Sequence, residues 1–173
     1  MKNLVEYLIP FKGLSIGKHD YEFHVQDTFF KALESKVVEK GDLKVNILLD
    51  KESRLISVDL DIKGNLSLVC DRCLEYFDFP IDINYTQIYK FGNPPDNQND
   101  DIIYLSEKEY QIDVSRLIYE NILLQIPIKK VHPDDENGES TCNPDQLELL
   151  ENLRKQPKAD PRWDALKNIK FED

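Results

Sequence analysis

From Leu43 to Tyr89 apolar side chains fall on every second residue, and this alternation constrains the fold more than any other feature of the chain. Leu43, Val45, Ile47 and Leu49 alternate with mostly polar neighbours, as do Ile56, Val58, Leu60 and Ile62. Leu66, Leu68 and Cys70 continue the pattern, and Phe77, Phe79, Ile81, Ile83 and Tyr85 complete it. Successive side chains on a strand point to opposite faces, so a period of two marks strands with one buried face. Asp50–Ser53 and Lys63-Gly64-Asn65 read as hairpin turns between them. Local connections of that kind favour an antiparallel meander over parallel crossover units.

The flanks add helices. Leu4–Ile9 reads as a short strand stopped by Pro10, and Tyr21–Val25 as a second strand. Asp27 is expected to cap a short helix that turns Phe29, Phe30 and Leu33 to the core. After the polar loop Gly92–Asp101, Ile102–Leu105 is placed back in the sheet. Asp113 opens a helix with Val114, Leu117, Ile118 and Ile122 along one side, ended by Pro127. In the tail, Asn143-Pro144-Asp145-Gln146 supplies an N-cap, a proline at the first helical position and an amide at the third. Asp160-Pro161 starts another short helix. The predicted class is α+β: an antiparallel twisted sheet or partly closed barrel covered by helices, with a C-terminal helical arm. Residues 1–131 form the sheet domain, and residues 132–173 the arm, packed on the same domain. The arm is acidic, since residues 132–160 hold eight acids and three bases.

Charge bounds the partners. A net −11 over 173 residues disfavours naked DNA or RNA, whose binding rests on Lys and Arg neutralising phosphates. It suits a basic partner such as a ribosomal protein. No apolar run reaches the roughly 18–20 residues of a membrane helix, and the start carries Glu6 where a signal peptide has its apolar core. The chain is expected to be cytoplasmic, with no disulfide framework. No phosphate-binding glycine loop or nucleophile–base pair stands out, so no catalytic residue is assigned and no enzyme activity is expected.

Cys70-Asp71-Arg72-Cys73 is the motif with chemistry in it. Two thiols at this spacing can hold a metal from a tight turn, form a redox pair, or decorate a structural turn. Zinc requires four ligands, and His132 and Cys142 are the residues that could complete a Cys3His set. Cys142 has a second reading, as an apolar residue packing on Leu147 ahead of the Asn143 cap. Arg72, at the turn tip, either reaches solvent to contact a phosphate or carboxylate, or pairs locally with Asp71 or Glu75. Arg162 with Trp163 is either a docking anchor for the arm or a partner contact.

In order along the chain, Cys70-Asp71-Arg72-Cys73-Leu74-Glu75, the helix running into Ile126-Pro127-Ile128, Cys142, and Asp160-Pro161-Arg162-Trp163-Asp164-Ala165-Leu166 resemble the YceD family. That family is named for accumulation of large-subunit ribosomal RNA, and the resemblance runs from about Leu43 onward. It implies a non-enzymatic factor in bacterial ribosome assembly, with a ribosomal protein or large-subunit intermediate as partner and rRNA contact as an option. Arg72, Arg162 and Trp163 are the partner-binding candidates. Many members carry two or more further cysteines after the proline-ended helix, where this chain has only Cys142. No cofactor is therefore expected, with zinc on Cys70, Cys73, His132 and Cys142 as the alternative. The rival readings are a zinc-binding module and a direct RNA-binding or processing protein.

Overall fold

The alternating segment becomes the centre of a five-stranded sheet of order β2-β3-β4-β5-β6. The structure, a computed structural model, describes residues 4–94 and 102–154. β2 (Gly17–Val25), β3 (Lys40–Lys51), β4 (Leu55–Val69) and β5 (Tyr76–Phe91) pair antiparallel in chain order. β6 (Ile102–Leu105) joins β5 in parallel. β1 (Leu8–Ile9) and β7 (Ile112–Asp113) make a separate antiparallel pair. The helices among the described residues are α1 (Asp27–Ala32), α2 (Val114–Gln125) and α3 (Pro144–Arg154). The class is α+β, as the sequence pattern implies. The sheet is nevertheless mixed and open: β2 and β6 are its edges, so it closes into no barrel.

One face of the sheet is core. Leu43, Val45, Ile47 and Leu49 of β3 and Ile56, Val58, Leu60 and Ile62 of β4 are all buried. Phe29 and Phe30 of α1, and Val114, Leu117, Ile118 and Ile122 of α2, belong to the same cluster. The side chain of Asp113 caps α2, its carboxylate accepting from Ser115 N at 2.9 Å and Ser115 Oγ at 2.6 Å. Ile126, forced into extended backbone by the proline after it, ends the helix.

Three local expectations change. Lys63-Gly64-Asn65 is not a turn: β4 runs through it, paired with β3 and β5. Gly64 has φ +146, and a Cβ there would overlap the Asp42 carbonyl oxygen. The glycine serves a close backbone approach in a central strand, which in sequence looks like a hairpin signal. Residues 5–7 form a 3-10 turn, leaving only Leu8–Ile9 to pair. Asp27 lies within α1 and accepts the backbone N–H of Gly41 at 3.1 Å, while Gln26 is the N-cap.

The described parts of Met1–Val69 and Tyr76–Lys130 form one compact unit, and Cys70–Glu75 with the described part of Val131–Asp173 forms a second. Every strand among the described residues, with helices α1 and α2, belongs to the first unit.

Candidate metal centre and acidic sheet face

Cys70–Glu75, the link between β4 and β5, is a tight turn closed by two backbone hydrogen bonds. Cys70 N donates to Glu75 O and Leu74 N to Cys70 O, each at 2.9 Å. Leu74 takes the left-handed conformation, φ +62, that the turn demands. The turn directs the N–H of Arg72 at Cys70 Sγ, 3.4 Å away.

The second half of the centre is built by residues 132–143. Asp135 accepts from Asn137 N at 2.9 Å and Glu139 N at 2.8 Å, while Asp134 bridges Ser140. Gly138, at φ +80, completes the reversal. This hairpin shortens the path between His132 and Cys142. Asn143 then caps α3, its Oδ1 accepting from Asp145 N at 3.0 Å as the sequence implies. Its Nδ2 donates to Glu75 Oε1 at 2.7 Å, clasping the cap to the cysteine turn.

Cys70, Cys73, His132 and Cys142 converge, with one ligand atom from each lying within 4.8 Å of the others. Cys70 Sγ is 3.6 Å from Cys142 Sγ, and His132 Nδ1 is 3.4 Å from Cys73 Sγ and 3.7 Å from Cys142 Sγ. Donors bound tetrahedrally to one zinc at about 2.0–2.3 Å lie roughly 3.5–3.8 Å apart. Those three separations lie close to that range. All three cysteines are free thiols and buried. Burial pushes the Cys70 thiol up, but backbone N–H groups of Cys73 and Arg72 and the His132 ring outweigh it, lowering the pKa from 9.0 to about 5. Burial raises Cys142, with Cys70 and Cys73 adding to the effect. The set fits a soft divalent cation: three sulfurs, one imidazole nitrogen, and backbone support for thiolate.

Arg72 is turned inward. Its Nη2 donates to His132 O at 3.4 Å and lies 3.9 Å from Asp134 Oδ1. It thus pairs with a residue distant in sequence, which neither sequence reading named. Its Nε is buried and has no hydrogen-bond partner among the described residues. Cys142 faces Cys70 and His132 through its sulfur. Arg162 and Trp163, together with the helix start at Asp160-Pro161, lie outside the described residues. Asp135 and the Asn143–Glu75 clasp were not singled out from sequence, although Asp135-Glu136-Asn137-Gly138 is a turn signature.

The solvent face of the large sheet, in the other unit, is acidic. Asp20 and Glu22 on β2 stand beside Asp59 and Asp61 on β4 across an open groove, with Asn46, Asn84 and Thr86 between and beyond them. Lys44 pairs with Glu22 at 3.1 Å and Lys63 lies 3.6 Å from Asp61. Both lysines are more than half exposed, so the pairing is weak. No described helix is long and apolar enough to cross a membrane.

Residues 58–170 match the family model described as "Large ribosomal RNA subunit accumulation protein YceD". The "Uncharacterized protein YlbN" of Bacillus subtilis (strain 168) is 25% identical over 159 residues, spanning 90% of this chain and 91% of that protein. No solved structure matches.

Proposed function

Because this chain belongs to the YceD family, we propose that it is a cytoplasmic, non-enzymatic factor that holds a basic large-subunit ribosomal protein during assembly. The family description supports a role in accumulation of large-subunit ribosomal RNA. The observation that carries the mechanism is the acid-lined sheet face on a chain of net charge −11. Alternate residues of a strand are about 6.5–7 Å apart, so Asp20 with Glu22, and Asp59 with Asp61, fit an extended basic segment with Lys or Arg at every second position. The same field repels bare RNA. An rRNA–protein intermediate is acceptable to this surface only through its protein component.

Chemistry by the thiols is disfavoured by access. Cys73 lies beside an imidazole, as a nucleophile would, yet it and Cys70 are buried, which supports a structural role over a reactive one. We propose instead that the Cys3His group holds one zinc ion. Four protein donors leave no open coordination position, so a bound zinc would be structural. Arg72 would then stiffen the His132 segment, leaving Arg162 and Trp163 as the candidate partner contacts. Deletion of the gene should lower large-subunit rRNA, and the wild-type chain should restore it. A quadruple variant, Asp20→Lys, Glu22→Lys, Asp59→Lys and Asp61→Lys, should keep its thermal midpoint yet fail to restore it. Full restoration by that variant would refute the electrostatic mechanism.

A further inference from the structure

Among the described residues of the second unit, the buried side chains are Cys70, Cys73 and Cys142, and no aliphatic or aromatic side chain joins them. α3 has no buried residue at all: Leu149 and Leu153 are more than half exposed, and Leu147 and Leu150 are only half-buried. We infer that metal binding folds this unit, so that residues 131–154 gather on the Cys70–Glu75 turn only when the Cys3His group is loaded. The inference rests on the zinc reading above and goes beyond it.

The physical reason is that no apolar core among the unit's described residues offsets the entropy of ordering this segment. Asn143 to Glu75 is exposed, Arg72 to His132 O is long at 3.4 Å, and the Asp135 hydrogen bonds close only their own hairpin. Burying three small thiols yields little hydrophobic gain beside an aliphatic core. A metal supplies what is missing, because the binding energy of a structural zinc site becomes folding energy of the segments that supply the ligands. The first unit needs no such help, since its buried residues form a continuous apolar cluster. Metal supply would thus decide whether the chain presents α3, with Asp145, Glu148 and Glu151, as an ordered acidic helix.

Amide hydrogen exchange on the full-length protein tests this, with the zinc content of each sample measured alongside. In zinc-loaded protein, the N–H groups of Leu74, Glu139 and Leu147 should be protected. Removing zinc with a chelator should speed their exchange at least tenfold, leave β3 and β4 unchanged, and reverse on adding zinc back. Cobalt(II) should substitute and show thiolate-to-metal charge-transfer absorption, which reports ligation independently of folding. Cys142→Ser should exchange like the chelated protein in α3. Metal bound with three-sulfur spectra, but α3 equally protected with and without it, overturns the inference and leaves the zinc reading standing. Failure to bind zinc or cobalt at all overturns both.

Discussion

Leu74 occupies a backbone region that costs an L-residue about 1–2 kcal/mol and glycine almost nothing. Leu74→Gly should therefore leave the metal-loaded unit as stable or stabilise it by up to about 1 kcal/mol, whereas Leu74→Val should destabilise it. Exchange of the Leu74 and Cys70 amides reads this locally, and a glycine variant that loosens the turn would count against the strain. Gly64 behaves oppositely. With φ +146 and the Asp42 carbonyl in the way, Gly64→Ala should cost at least about 2–3 kcal/mol in denaturant melts. The residue scale also sets a pH limit. Burial, helped by Glu6, pushes Tyr7 up to about 12, and burial with charge from Tyr85, Asp113 and Glu120 does the same to Tyr89. The fold favours the neutral phenols, while the unfolded chain ionises near 10. Their contribution is whole below about pH 10 and is lost as pH rises towards about 12. Tyr89→Phe should flatten part of that alkaline decline in thermal midpoint; an identical decline in the variant would assign it elsewhere.

Among the elements, β4 and α2 carry the most burial. Ile118, fully buried on α2, and Leu60 on β4 should each cost about 2–5 kcal/mol as alanine, by lost transfer energy plus cavity. A loss under about 1 kcal/mol would mean that α2 does not seal the core. These elements were legible because period two and period 3.6 leave an unbroken imprint, from Leu43 to Leu49, from Ile56 to Ile62 and from Val114 to Ile122. Direction was not. Ile102–Leu105 is too short to show whether it runs with or against β5, so the mixed character of the sheet stayed hidden. Gly64 was misread because glycine for close approach and glycine for a turn are the same letter. The candidate metal ligands could be named but not assembled, since the hairpin around Asp135 brings His132 to Cys142. The inward set of Arg72 depends on Asp134, 62 residues further along the chain, a pairing that no local pattern shows.

At the scale of the whole molecule, two properties divide between two units: an acid-faced sheet held by an apolar core, and a segment built around three thiols and a histidine. The proposed binding to a basic ribosomal protein should weaken steeply with added salt, because exposed charges beyond a Debye length of about 8–10 Å are screened. Loss of zinc should leave that salt slope nearly intact if the sheet face carries it, and an unchanged affinity across salt would mean that the contact is not electrostatic. The most direct measurement is capture of the tagged protein from cells with ribonuclease added to half of each sample, its partners then being identified. A basic large-subunit protein should stay bound after digestion and be missing from the capture by the quadruple lysine variant of the sheet face. Release of every ribosomal component by the nuclease would contradict it, placing the contact on RNA.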